Sequence, residues 1–270
     1  MPNKQPMRTF EGNAKPGEPF WNFKNAADTE SGETELEFYG PISEFSFWGD
    51  EVTPRLFKDQ LYANGDGKPV TVRLNSPGGD LIAASVIAAT IRDYPAPVTV
   101  KVDGIAASAA VMVALAGDRV AMNASAYMMV HNPMVGLLGY FNVDELKDLI
   151  GELKSIKNGI VEGYQSKTGM DAEKLAKLMD DETWLTASEA VALGFADEIT
   201  PISAGKKANL VNFVNALQNY VNTPPALLQA ADEVEPQPEP ETSEPAPAKV
   251  DPRKVERLRN YLKVFGTKKK

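Results

Sequence analysis

Cysteine is absent from the 270-residue chain, and histidine occurs once, at His131. Without cysteine there is no disulfide, no thiolate zinc site and no thiol nucleophile. With a single imidazole, no site that needs two, such as the HExxH zinc motif, can form. Long apolar runs are missing as well. The most apolar stretch, 105–116, is rich in alanine and falls short of the ~20 residues a membrane-spanning helix needs, so it is expected to be a buried helix. Residues 1–23 are polar, broken by proline and glycine, and lack the apolar centre of a secretory signal, which suits a cytoplasmic protein. Positive charge is in deficit: 28 Lys and Arg against 37 Asp and Glu give a net charge of −9. Such a chain repels a phosphate backbone, so nucleic acid is not an expected partner, and with no spanning segment neither is a membrane.

What is present suits a globular core, with 43% hydrophobic and 24% charged residues. Short runs rich in β-branched or apolar residues at 35–39, 70–74, 98–102, 119–122 and 127–131 read as strands. Segments of helical composition fall at 50–61, 80–93, 106–116, 142–168 and 187–193, with Asp80 and Asn142 as N-caps. Strands alternating with helices indicate parallel α/β architecture. Residues 1–33 are expected to be a flexible lead-in and 34–222 the folded domain, closing with a helix at 210–221. Proline, glutamate and alanine dominate 223–250, expected to be a disordered linker, and 251–270 a basic helical tail.

A hydroxyl nucleophile needs a base within reach, an orienting group for that base and donors facing the developing oxyanion. Ser108 follows the strand-like PVTVKV at the start of an apolar helix, where a side chain can project; a serine there also serves as a small residue for close packing. His131 ends the run YMMVH, and any histidine-assisted serine chemistry has no other imidazole to use. Asn75-Ser-Pro-Gly-Gly-Asp links a strand to a helix, and its glycines can expose N–H groups or simply make a turn. Gly65-Asp-Gly-Lys-Pro lacks the spacing of a phosphate loop and reads as a turn. Asp180-Asp-Glu offers acids that can orient an imidazole or merely cap a helix, and Thr186 with Glu189 forms a credible capping box.

Taken in order, LNSPGGD, GIAASAAVMVALAGD, AYMMVHNP and ETWLTASEAVALGFADEI resemble the Clp protease proteolytic-subunit family over roughly 35–200. The likeness is closer to its phage and prophage branch, the head maturation proteases. The resemblance implies a ClpP/crotonase-like ββα spiral, an α/β fold with a projecting oligomerisation helix at 142–168. It also implies Ser108 as nucleophile, His131 as base and the N–H groups of Gly78 and Ala109 as oxyanion hole. The acid is Glu182, with Asp181 one residue off the family position as the alternative. Gly79 and the stretch Met134, Val135, Gly136 and Leu137 correspond to the family's peptide-binding strands. An extended peptide substrate, a ring of identical subunits and no cofactor follow from the same likeness. The ETW wording and the long tail point to cleavage of capsid or scaffold protein, in host cytoplasm or an assembling procapsid, with the tail as a contact. Two other readings stand beside it: a catalytically silent assembly scaffold of the same fold, and a crotonase-type acyl-CoA enzyme.

Overall fold

The computed structural model describes residues 23–24, 34–45, 51–201, 217, 220–225 and 227, all within the first of two compact units, Met1–Glu233. The basic tail 251–270, most of the linker 223–250 and most of the helix expected at 210–221 lie outside the described residues, as does the lead-in apart from one short strand.

That strand, β1 (Phe23–Lys24), pairs antiparallel with β2 (Thr34–Tyr39). From β2 the chain runs through α1 (Pro54–Gly65), β3 (Val70–Ser76), α2 (Leu81–Arg92), β4 (Val98–Ala107), α3 (Ala109–Ala114), β5 (Arg119–Asn123) and β6 (Tyr127–Val130). It continues through α4 (Val143–Thr168), α5 (Ala172–Asp180), β7 (Thr183–Thr186), α6 (Ala187–Ala192) and β8 (Glu198–Thr200). The sheet order is β1-β2-β3-β4-β5-β8, parallel from β2 onward. β3 is buried along almost its whole length, as a parallel strand covered on both faces should be, even though VTVRLNS alternates apolar with polar residues; only Arg73 is partly exposed.

Local chemistry sets the helix ends. Thr53 caps α1 ahead of Pro54, and Asp80 caps α2 by accepting from the Ala83 N–H at 2.8 Å. Asn142 with Glu145, and Thr186 with Glu189, form capping boxes on α4 and α6. The Gly65-Asp-Gly-Lys segment is a turn closed by the Lys68 N–H on the Gly65 carbonyl at 2.9 Å.

β4 places the site. Its first half pairs with β5 and its second half, from Ile105 to Ala107, pairs with β6. The expected helix over 105–116 therefore begins only at Ala109: Ile105, Ala106 and Ala107 are fully buried strand residues. Alanine's helical preference yields here to the hydrogen bonds that an exposed edge of β6 would otherwise lack. β7 and β8 were not evident from the sequence: at four and three residues they are too short to show a period. β7 runs antiparallel to β6, bringing Thr183 opposite Val130.

Apolar side chains of the sheet, α1, α2 and α3 form one core, joined by Ile160, Val161 and Tyr164 from the last third of α4. The earlier turns of α4 are mostly exposed and carry Val143, Leu146, Ile150 and Ile156. A second cluster joins Ile105 to Leu217 and Leu227. Packing thus continues past the expected domain end at 222, because Leu227 is an apolar side chain with a buried place to occupy. Among the described residues no helix is long and apolar enough to cross a membrane.

Candidate active site

Ser108 sits where β4 turns into α3, with φ 57° and ψ −126°. This left-handed conformation is costly for a residue with a Cβ and persists only where its surroundings impose it. The Ser108 N–H donates to the Met129 carbonyl at 2.8 Å, tying the turn to β6. Residue 131 follows β6 directly, and there His131 Nε2 lies 2.6 Å from Ser108 Oγ. The lone histidine and the serine singled out by sequence are in hydrogen-bond contact. Burial pushes the imidazole below its ordinary pKa, and the nearby charge of Glu182 acts in the opposite direction. At neutral pH the ring is therefore unprotonated and able to accept the hydroxyl hydrogen.

Gly78 packs on the same turn. A Cβ at Gly78 would fall 2.8 Å from Ser108 Cβ and 3.1 Å from the Ala109 nitrogen. Its backbone N–H donates to Ser76 Oγ at 3.1 Å. Gly79 is pinned beside Ile42: the Ile42 N–H donates to the Gly78 carbonyl and the Asp80 N–H to the Ile42 carbonyl, each at 2.9 Å.

The three consecutive acids have different partners. Asp180 accepts from Lys157 Nζ at 2.6 Å and Asn132 Nδ2 at 2.8 Å, which hold its carboxyl below the usual range. Asp181 is paired with Lys177 at 2.7 Å. Glu182, with φ 45°, is the acid whose charge bears on His131. Its Oε1 accepts the backbone N–H of Asn222 at 2.6 Å.

Ser108 and His131 border a cleft of about 480 Å³ that Gly79, Ala109, Met134 and Val135 also line, with α4 and Tyr220 as further walls. Gly136 and Leu137 do not line it. Residues 131–138 form no strand ladder, and Met134 and Val135 are largely exposed. Sequence reasoning passed over Tyr220 and Asn222, whose stretch has no motif to mark it.

A family model described as Clp protease matches residues 49–203. The chain belongs to the Clp protease family. The ATP-dependent Clp protease proteolytic subunit 1 of Protochlamydia amoebophila is 32% identical over 136 residues, covering 49% of this chain and 66% of that relative. The subunit 1 of Chlamydia abortus is 32% identical over 162 residues, covering 57% and 84%. The subunit 2 of Thermobifida fusca is 30% identical over 154 residues, covering 56% and 75%. Among solved structures, a point mutant of ClpP1 from Listeria monocytogenes superposes with a TM-score of 0.54 at 24% identity, over 64% of this chain and 94% of that one. The fold is thus the ClpP-like α/β fold expected from the sequence. Ser108, His131 and Glu182 all lie inside the part matched to the Clp family, whereas Tyr220 and Asn222 lie beyond it.

Proposed function

We propose that this Clp family member is a serine endopeptidase in which Ser108 attacks the peptide carbonyl and His131 takes its proton. The 2.6 Å contact between His131 Nε2 and Ser108 Oγ, beside an open cleft, carries this reading. As Oγ bonds to the carbonyl carbon, its hydrogen passes to the neutral imidazole, and Glu182 stabilises the imidazolium that forms. The imidazolium then protonates the leaving amine. Water, deprotonated by the same ring, releases the acyl group from Ser108. The oxyanion is received by the N–H groups of Gly78 and Ala109; the Gly78 donor exchanges a neutral hydroxyl acceptor for a charged one, which it binds more strongly.

An extended peptide lies between Gly79 and the unpaired stretch 134–137, adding main-chain hydrogen bonds to a free backbone edge. The exposed apolar residues of 134–141 and of the first turns of α4 support assembly of several copies into a ring. The finer reading is a phage head-maturation protease acting on capsid or scaffold protein in the host cytoplasm or an assembling procapsid. It is supported by the Glu182-Thr-Trp wording, the acidic Pro-rich stretch 223–250 and the basic stretch 251–270. A silent scaffold would have no use for a nucleophile touching a base, and no observation favours an acyl-CoA enzyme.

The test incubates wild type and Ser108→Ala with casein and with phage procapsids. Cleavage by wild type alone supports the peptidase, and cleavage confined to procapsid proteins supports the head-maturation role. Equal behaviour of the two proteins on both substrates contradicts the reading.

A further inference from the structure

Beyond residue 203, where the match to the family ends, the chain returns to the cleft. Leu217 and Leu227 are buried with Ile105, and Tyr127, Trp184 and Tyr220 pack around them. Between these anchors the Tyr220 ring meets His131 edge to face, with centroids 5.2 Å apart and planes at 74°. Its hydroxyl donates to the Pro77 carbonyl at 2.8 Å and lies beside the Ser108 side chain. Two residues on, Asn222 donates its backbone N–H to Glu182 Oε1 at 2.6 Å and its side-chain amide to the Asp181 carbonyl at 2.8 Å.

We infer that this returning segment is a working wall of the active site: Tyr220 is a positioning residue for His131 and for the Pro77–Gly78 peptide, and Asn222 one for Glu182. The inference rests on the peptidase reading above and deepens it.

Three physical arguments carry it. The Pro77 carbonyl and the Gly78 N–H belong to one planar peptide unit and point in opposite directions, so anchoring the oxygen fixes the aim of the oxyanion donor. An aromatic ring in edge-to-face contact with the imidazole restricts its rotation and keeps water from one side, and among the described residues Ser108 and Glu182 also act on it. Glu182 sits in a left-handed conformation at a turn closed by its own N–H on the Met179 carbonyl, and the Asn222 N–H gives its carboxylate a fixed partner. The segment does not fill the cleft, because Tyr220 forms one wall of a space that stays open toward α4.

The experiment follows the rate of fluorophosphonate labelling of the full-length protein against pH, separating the maximal rate kinact from the half-saturating concentration KI. Tyr220→Phe keeps the ring and loses the bond to Pro77; it lowers kinact about fivefold, with KI and the acid limb unchanged. Tyr220→Ala also opens His131 to water, so it lowers kinact about tenfold or more and moves the acid limb to higher pH. Asn222→Pro removes the N–H that holds Glu182 and lowers kinact about tenfold. Val221→Ala, in the same segment but 87% exposed, leaves the rate unchanged. A thermal melt confirms that each variant is folded, and Tyr220→Phe carries the test should the alanine variant unfold. Wild-type kinact and acid limb in both Tyr220 variants overturn the inference. So does faster labelling of Tyr220→Ala, which would make the segment an obstruction. A wild type that takes up no label overturns the peptidase reading and this one with it.

Discussion

Gly78 lies so close to Ser108 that a methyl group on it would sit 2.8 Å from Ser108 Cβ and 2.5 Å from the Ala107 carbonyl oxygen, at a φ of 93°. Both neighbours belong to the turn that presents Ser108, so neither can move without moving it. Gly78→Ala is therefore expected to lower kcat by about 100-fold or more, the loss that follows removal of one oxyanion donor. Its cost in stability exceeds the about 1–3 kcal/mol of a strained φ, because the backbone must also shift to relieve the contact with the Ala107 carbonyl oxygen. Labelling kinetics and a thermal melt on the same sample separate the two effects.

The acid is assigned by a pair of substitutions with opposite expectations. Burial lowers the His131 pKa and Glu182 raises it, so Glu182→Gln lets it fall further. The acid limb of kcat/KM moves to lower pH while kcat itself falls by about 100-fold or more, since the imidazolium loses its partner. Asp181→Asn removes a carboxylate that faces Lys177 and leaves the limb in place. The pH profiles of the two variants on one peptide substrate decide between them.

Away from the cleft, Arg73 of β3 binds Asp103 of β4 at 2.8 Å with both side chains mostly buried, and Tyr39 of β2 donates to the same carboxylate oxygen at 2.6 Å. Arg73→Met leaves Asp103 buried without its cation. It is expected to destabilise the fold by about 3–5 kcal/mol, seen in the urea midpoint, while the folded fraction retains its labelling rate.

Val143 and Ile150 are apolar and more than half exposed on the projecting turns of α4. An Ile150→Glu change there costs the isolated subunit little. In an assembly that buries this face it places a charge at an apolar contact. The expected result is a smaller particle by light scattering with an unchanged thermal melt of the subunit.

Much of this was legible in the sequence because it depends on local chemistry. Asp80, Asn142 and the Thr186–Glu189 pair cap helices through side chains that reach only a few residues, and Gly78 and Gly79 mark a turn by what they lack. The parallel sheet showed in runs of β-branched residues, but the partners of β4 did not. Ile105, Ala106 and Ala107 read as helix until β6 supplies their hydrogen bonds. The pairing of Asp180 with Asn132 and of Glu182 with Asn222 is tertiary information, whereas Asp181 meets Lys177 four residues away; adjacent acids look alike in a string of letters. Tyr220 meets His131 across 89 positions in the chain, a contact no local spacing encodes.

Ser108 is proposed as a nucleophile activated by His131. The decisive experiment is labelling of the intact protein with a fluorophosphonate probe, followed by peptide mapping of wild type, Ser108→Ala and His131→Ala. A single modified peptide carrying Ser108 is expected in the wild type, and no label in either variant. Undiminished labelling of folded His131→Ala, or label on a residue other than Ser108, would contradict it.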